Sequence, residues 1–320
     1  MIVTLTLNPS LDRTLEVPEL VRGSVIRSTS RLLHPGGKGV NVARALLANG
    51  VEARAVLPVG GAVGRELLEL LADEGVAMTA VDVGAATRSN LTLSEPDGTV
   101  TKINVDGEPL TATEIDTLAD TVTKLARPSA WVVLSGSLPR GVDDGVYARL
   151  TERFTSSGIA VAVDTSGPAL RQAVAAGPAL VKPNREELAE AVGTEIRTLA
   201  DTVAAAHALR RSGAGTVLAS LGPDGAVLVG DEGVVFGECA VAERRSTVGA
   251  GDCLLAGYLA AGTTGAEGRD ALATALCWAA AAVELPGSGM PTPADVARRR
   301  AHVTTDLEGL DLDRALTGSG

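Results

Sequence analysis

Ser246-Thr247-Val248-Gly249-Ala250-Gly251-Asp252 opens directly into the apolar run 253–261. The pattern predicts a Gly-rich turn at the start of a helix, with one carboxylate at the junction. Gly249 and Gly251 lack Cβ, so the backbone there can take unusual dihedrals and come close to a ligand. The first amides of a helix have no intrahelical acceptor and carry the positive end of the macrodipole, which makes such a turn an anion site. Asp252 is odd company in a place suited to phosphate oxygens. Either it caps the helix, a common use of Asp, or it serves as a base beside a phosphoryl group in transit.

Upstream of this turn the chain reads as alternating strands and helices. Residues 3–7 form a β-prone run stopped by Asn8-Pro9, with Asp12 in the turn that follows. Pro35-Gly36-Gly37-Lys38-Gly39 opens an amphipathic helix over 40–49, and Gly50 stops it. A strand over 54–59, a helix over 63–74 and a strand over 78–83 continue the alternation, which predicts a parallel sheet with crossover helices. The pattern breaks at 89–94 and 100–105, where polar and apolar residues alternate around Glu95-Pro96-Asp97-Gly98, a hairpin turn. With the short β-prone pieces of 14–33, this hairpin makes a small, mostly antiparallel sheet inserted in the α/β body. About 12–34 and 88–106 would then form a lid on one domain spanning 1–320.

The alternation resumes with Thr111 and Glu114 at capping-box spacing. Strands over 131–134 and 159–163 run into Ser135-Gly136-Ser137 and Asp164. Leu180-Val181 leads to Lys182-Pro183-Asn184, with Asn184 placed to cap a helix from Arg185, and a strand over 216–220 leads into Leu221-Gly222-Pro223-Asp224-Gly225. Residues 226–229 and a last edge strand over 233–236 precede the opening motif, residues 271–285 are an Ala-rich core helix, and the end from Thr317 to Gly320 is expected to fray. Open α/β sheets bind ligands beyond the carboxyl ends of their strands. Ser135-Gly136-Ser137, Asp164, Asn184, Gly222 and Asp252 all fall at that edge, so one crevice can gather them.

Composition narrows the function. A net charge of −11 over 320 residues argues against a nucleic-acid binder, which shows a basic face. The start lacks a signal-peptide pattern and no apolar run is long enough for a membrane span. Cys239, Cys253 and Cys277 are widely spaced without a C-x-x-C pair, which argues against a disulfide framework or zinc site and suits a reducing cytoplasm. Of 28 basic residues only Lys38, Lys102, Lys124 and Lys182 are lysines; Lys124 falls on a polar helix face, and the other three lie in or near motifs. Asn184 and Glu187 stand three apart at a helix start, either as an N-cap with an acidic first turn or as a pair for hydrated magnesium. Ser220 to Gly225 is either a plain β-turn or a bed for a nucleotide, and Arg88 either a solvated surface residue or a phosphate ligand.

In this order, Pro35-Gly36-Gly37-Lys38-Gly39-Val40-Asn41-Val42-Ala43 and Ser246 to Asp252 resemble the two signature regions of the ribokinase-like (PfkB) sugar kinases. Thr6-Leu7-Asn8-Pro9-Ser10-Leu11-Asp12, Ser135-Gly136-Ser137-Leu138-Pro139, Val181-Lys182-Pro183-Asn184-Arg185-Glu186-Glu187-Leu188 and Ser220 to Gly225 resemble the 1-phosphofructokinase and tagatose-6-phosphate kinase branch. The resemblance covers essentially the whole chain. It implies a three-layer α/β/α domain with a β lid that pairs two subunits, and an ATP- and Mg2+-dependent kinase of a phosphorylated ketohexose. D-fructose 1-phosphate, phosphorylated on C6, is the expected substrate; tagatose 6-phosphate, fructose 6-phosphate and a non-catalytic sugar-phosphate regulator are the alternatives.

By the same resemblance, Asp252 is the base and the amides of Gly249, Ala250 and Gly251 the anion hole. Asp12, Gly36, Gly37, Lys38, Asn41 and Asn90 hold the sugar, with Arg88 and Ser137 near its phosphate and Lys38 helping to hold that phosphate. Lys182, Asn184, Ser220, Leu221, Gly222, Pro223, Asp224, Gly225 and Gly251 bind the nucleotide, and Asn184 with Glu187 the magnesium. Cys253 departs from the family, where Ser is frequent.

Overall fold

The computed structural model describes residues 1–127, 130–307 and 309–317. The chain starts with β1 (Ile2–Leu5), β2 (Ser10–Glu16), β3 (Ser30–Gly36), α1 (Lys38–Ala48), β4 (Ala53–Val59), α2 (Gly61–Asp73), β5 (Met78–Asp82), β6 (Arg88–Ser94) and β7 (Val100–Ile103). It continues through α3 (Ala112–Leu125), β8 (Trp131–Ser135), α4 (Val146–Thr155), β9 (Ala160–Asp164), α5 (Gly167–Ala175), β10 (Leu180–Val181), α6 (Arg185–Val192), α7 (Leu199–Arg211) and β11 (Thr216–Ser220). A short 3-10 turn, Gly222–Asp224, leads to β12 (Ala226–Gly230), β13 (Gly233–Cys239), α8 (Ala250–Thr263), α9 (Gly268–Val283), α10 (Pro293–Ala297) and β14 (Ala301–Thr304).

Ten strands form one sheet in the order β14-β13-β12-β11-β10-β9-β8-β1-β4-β5, parallel from β5 to β11 and antiparallel beyond. Val132 and Leu134 pack into the core on one face while Val133 packs into the core on the other, so β8 is buried on both sides as parallel strands require. One face is covered by α3 to α7 through residues such as Leu118, Phe154 and Leu170; the other is covered by α1, α2, α8 and α9 through Val42, Leu67, Leu255 and Leu272. The result is a three-layer α/β/α body.

The second sheet has the order β3-β2-β6-β7, with β2 and β6 parallel and the outer pairs antiparallel. Asp12 lies inside β2, not in a turn, because the break at Asn8-Pro9 only separates β1 from a strand that changes sheets. The edge of the large sheet is β14 rather than β13, which pairs on both sides. Pro168 sits in the first turn of α5 after Ser166, a common place for proline, and the short α10 precedes β14. Thr317 is bonded to Asp224 rather than frayed, while 318–320 lie outside the described residues. Among the described residues no helix is long and apolar enough to cross a membrane.

One packing feature places the opening motif. A Cβ at Gly257 would stand 2.9 Å from Cα of Ala275, so the glycine lets α8 and α9 pack with their backbones close. Helix α8 is buried along most of its length, and its first turn sits at the carboxyl edge of the large sheet.

Candidate active site

Gly249 is the N-cap of α8 with φ of 80°, a left-handed conformation that a side chain would strain. No side chain caps this helix, so the capping role considered for Asp252 does not hold. Asp252 is the third residue of α8 and only 7 % exposed. Its Oδ2 accepts a hydrogen bond of 2.8 Å from Asn41 Nδ2 on α1. Asn41 is itself oriented by Arg44, whose Nη1 donates to Asn41 Oδ1 at 3.4 Å while its guanidinium forks onto Glu74. Burial, aided by repulsion from Asp164, pushes the Asp252 carboxyl up to about 6 against the pull of Lys38, Asn41 and Lys182. A carboxylate so tuned is ionised at neutral pH yet basic enough to take a proton.

Beside it lies a charge network whose members stand far apart in the sequence. Lys38 Nζ is 2.7 Å from Asp164 Oδ1 and 3.3 Å from Glu187 Oε1, and Lys182 Nζ is 3.2 Å from Asp164 Oδ2. Asp164 is fully buried at the end of β9. Burial alone would raise its carboxyl, but the two ammonium groups outweigh that and hold it below the ordinary carboxylate range. Burial likewise opposes the charge of Lys38, yet Asp164 and Glu187 keep it protonated well above the usual lysine range. Lys182 also approaches the helix start, since a Cβ on Gly251 would lie 3.5 Å from its Nζ.

Asn184 and Glu187 form a full capping box on α6: Asn184 Oδ1 accepts from the Glu187 amide at 2.8 Å, and Glu187 Oε2 from the Asn184 amide at 2.9 Å. The N-cap reading of this pair is therefore true, and Glu187 still presents Oε1 to Lys38. In the turn after β11, Gly222 and Gly225 have φ of 59° and 90°, and a Cβ on Gly225 would run into the Gly237 carbonyl. Asp224 does not line the cleft: its carboxylate accepts from both the amide and the hydroxyl of Thr317, at 2.8 and 2.7 Å.

These elements enclose a cleft of about 740 Å³. Lys38, Asp164, Lys182, Asn184 and Asp252 line its polar floor together with Gly249, Ala250 and Gly251, while Ser220, Leu221, Gly222, Pro223 and Gly225 line one side. The opposite wall is apolar, built from Ala240 and Val241 after β13 and from Leu276, Ala280 and Val283 of α9. The α9 residues look in sequence like plain core packing, and no local signal marks them as a cleft wall.

The remaining predicted residues gather under the small sheet. Ser10 Oγ and Asn90 Nδ2 both donate to Asp12 Oδ1, at 2.8 and 2.9 Å. Gly36 stands opposite Ser10 in β3, where any Cβ would collide with the Asp12 carboxylate. Gly37, with φ of 112°, turns the chain into α1. Arg88 donates to the Asn8 carbonyl from Nε and Nη2 and to the Val105 carbonyl from Nη1. Asn8 Nδ2 donates to Ser137 Oγ at 3.2 Å, which ties the two residues expected near a phosphate to one asparagine. Asn8, which links Arg88 to Ser137, reads in the sequence only as a strand stop. Lys38, expected on this side, has its ammonium paired across the crevice with Asp164 and Glu187.

Gly-rich helix start, buried carboxylate and charged floor are the parts of a phosphoryl-transfer site, and the signature described as pfkB family carbohydrate kinase matches residues 6–295. The chain belongs to the pfkB family of carbohydrate kinases. This pfkB kinase is 36% identical over 304 residues to the 1-phosphofructokinase of Haloferax volcanii, covering 95% of this chain and 97% of that relative. The crystal structure of phosphofructokinase-2 from Escherichia coli in complex with fructose-6-phosphate matches it with a TM-score of 0.87 at 34% identity, over 93% of this chain and 97% of that one. Ribokinase of Arabidopsis thaliana, at 20% identity, shares the fold with a TM-score of 0.75 over 93% and 97% of the two chains. The pfkB kinase is thus a ribokinase-like enzyme acting as a sugar-phosphate kinase.

Proposed function

We propose that this kinase transfers the γ-phosphoryl group of ATP to the C6 hydroxyl of D-fructose 1-phosphate, giving D-fructose 1,6-bisphosphate and ADP. The observation that carries the reading is Asp252: a buried carboxylate tuned to about 6, held by Asn41 at the uncapped start of α8. It accepts the proton of the attacking hydroxyl as the new O–P bond forms. The first amides of α8, with Lys182 beside Gly251 and Lys38 close to Asp252, receive the charge of the transferring group. Placing Lys38 here, rather than at the sugar's own phosphate, follows its pairing with Asp164 and Glu187.

The substrate's phosphate then falls to Arg88 and Ser137, and its hydroxyls to Asp12, Gly37, Asn41 and Asn90. The base of ATP lies between the turn 220–225 and the apolar wall. Asp164 and Glu187, brought to a single ammonium, together with Asn184 make a donor set of oxygens that suits a hydrated Mg2+. When bound, that ion neutralises phosphate charge. The small sheet, closing as a lid, excludes water that would compete with the sugar hydroxyl.

Leu20, Val21, Val25, Leu32, Val100, Ile103 and Val105 are large apolar side chains exposed on or beside that sheet, which supports a homodimer paired through it. Three unpaired thiols support a cytoplasmic setting. A second reading, fructose 6-phosphate as acceptor, is favoured by the likeness to the Escherichia coli enzyme solved with that sugar. A coupled ADP-release assay with fructose 1-phosphate, fructose 6-phosphate, tagatose 6-phosphate and ribose separates the readings. The highest kcat/KM is expected with fructose 1-phosphate; a preference for either 6-phosphate overturns the assignment.

A further inference from the structure

Arg44 follows Asn41 by three residues on α1, so the two share one helix face. Its side chain is buried, at 5 % exposure, yet its donors tie α1 to three other parts of the chain. Nε and Nη2 fork onto Glu74, the C-cap of α2, at 2.6 and 2.8 Å. Nη1 reaches Asn41 Oδ1 at 3.4 Å, the Pro35 carbonyl of β3 at 3.5 Å and the Ser288 carbonyl at 3.3 Å. The loop that carries Ser288 also leans on the first turn of α8, with Met290 Sδ 3.9 Å from Cys253 Sγ.

An asparagine amide turned end for end occupies nearly the same space, so its neighbours must choose the orientation. Here both do. A guanidinium only donates and an ionised carboxylate only accepts. Oδ1 of Asn41 therefore faces Arg44, and Nδ2 donates to Asp252 Oδ2 at 2.8 Å. The reverse arrangement would set N–H against N–H on one side and oxygen against oxygen on the other.

We propose that Arg44, anchored by Glu74, is a positioning residue for the base: it fixes the Asn41 amide so that Nδ2 stays on Asp252. Arg44 does not line the large cleft and acts through Asn41. The bond from Asn41 favours the ionised carboxyl, against burial and the repulsion from Asp164. Loss of that orientation moves Asp252 further up and leaves less of it ionised at neutral pH. The catalytic consequence rests on reading Asp252 as the base; the effect on its protonation does not.

The test titrates the enzyme carrying 13C-labelled aspartate by NMR, with the Asp252 carboxyl signal identified by its loss in Asp252→Asn, and measures kcat/KM over the same pH range. In Arg44→Met the carboxyl midpoint and the acid limb of kcat/KM should both move up by about one pH unit. Much of the activity lost at low pH should then return as pH rises. Other titratable groups stand close by: Asp164, Lys38, Lys182 and Cys253 around Asp252, and His34 facing Arg44 from β3. The carboxyl signal separates Asp252 from all of them.

Glu74→Ala, at an exposed residue, is the milder variant and keeps the Arg44 charge. If charge alone mattered, removing this carboxylate would move Asp252 down. The expected direction is up, because the guanidinium loses both acceptors of its fork. A downward or absent move in Glu74→Ala overturns the proposal, as does an Arg44→Met variant with an unmoved midpoint and an equal loss of activity at every pH. If Arg44→Met does not fold, Glu74→Ala decides alone. If Asp252→Asn keeps near-normal turnover, the reading of the base fails by itself, while the carboxyl midpoint still reports on Arg44.

Discussion

At the end of the crevice proposed for the nucleotide, Lys38, Asp164, Lys182 and Glu187 are locked together by ion pairs of 2.7–3.3 Å, with Asp164 and Lys182 at 0% and 3% exposure. At the end proposed for the sugar, Asp12, Asn90, Arg88 and Ser137 are joined by bonds to serine, asparagine and backbone carbonyls, and Asp12, Arg88 and Asn90 are half-buried on the strands of the small sheet. The first set stands on α1, α6 and the carboxyl edges of β9 and β10, whose positions the core fixes. The second rides largely on a four-stranded sheet with exposed apolar residues on its strands and loops. The contrast separates two tasks. A phosphoryl group in transit needs charge fixed in advance, while a sugar that must enter and leave needs contacts that assemble on closure. Asp252 sits at the seam, bonded to Asn41 and felt electrostatically by Lys38.

The largest expected effect is therefore at the seam. Asp252→Asn should lower kcat by about 10²–10⁴ and leave ATP binding nearly intact; near-normal turnover would break the assignment of the base. The same variant should be more stable than the native enzyme at pH 8. The folded-state carboxyl is raised from 3.8 to about 6, so ionising it costs stability that is absent at low pH, grows as pH rises, and is complete above about 6. At about 1.4 kcal/mol per unit this amounts to about 2–3 kcal/mol, read as a higher melting temperature at pH 8 that converges with the native value near pH 4. In the native enzyme kcat/KM should fall as pH drops through about 6, because the protonated carboxyl cannot accept the hydroxyl proton.

Next comes Asp164→Asn, which leaves two ammonium groups facing a neutral amide. Breaking one side of a buried pair costs about 3–5 kcal/mol, so a clear drop in melting temperature is expected along with weakened ATP binding. If stability holds and only sugar affinity changes, the network belongs to the other end. Lys38→Met asks the same question with less damage, because Lys182 still serves Asp164. It should raise the KM for ATP and lower kcat, with the KM for the phosphosugar within about twofold of native.

How far these features could be read in advance depends on their range in the chain. The alternation of strands and helices was legible because buried parallel strands such as Trp131–Ser135 are short apolar runs bounded by Gly and Pro. The opening turn was legible because Gly249, Gly251 and Asp252 act within four residues. The start of β2 was not, since residues 10–13 read as a turn after Asn8-Pro9, while their pairing with β3 and β6 is decided by distant residues. The Lys38–Asp164–Glu187 meeting joins positions 126 and 149 residues apart, so no local pattern encodes it. The scarcity of lysine was the one pointer: two of the four lysines converge on Asp164.

On the sugar side the expected effects are smaller in stability and confined to one substrate. Asp12→Asn exchanges a half-exposed carboxylate that accepts from Ser10 and Asn90 for an amide that still offers one acceptor. A neutral hydrogen bond contributes about 0.5–1.5 kcal/mol, so the melting temperature should barely move while the KM for the phosphosugar rises at least tenfold and that for ATP does not. A matching loss of stability would mean that the small sheet is as rigid as the body, and the contrast between the two ends would disappear.

The smallest effect tests how far the rigidity of the nucleotide end reaches. The tail docks on α7 through the Ala200 amide to the Leu312 carbonyl and the Leu316 amide to the Arg197 carbonyl, then delivers Thr317 to Asp224 behind the nucleotide turn. Thr317→Val keeps the backbone donor at 2.8 Å and removes the hydroxyl donor at 2.7 Å, at a residue that also lines the cleft. Thr317 is exposed, so the lost bond to a carboxylate belongs at the low end of the range, about 1 kcal/mol. The expected result is an increase in the KM for ATP of about twofold to fivefold with kcat unchanged, because the turn 221–225 loses support while the floor around Asp164 does not move. An unchanged KM would confine the fixed part of the nucleotide end to that floor and make the turn above it, like the small sheet, a part that assembles around its ligand.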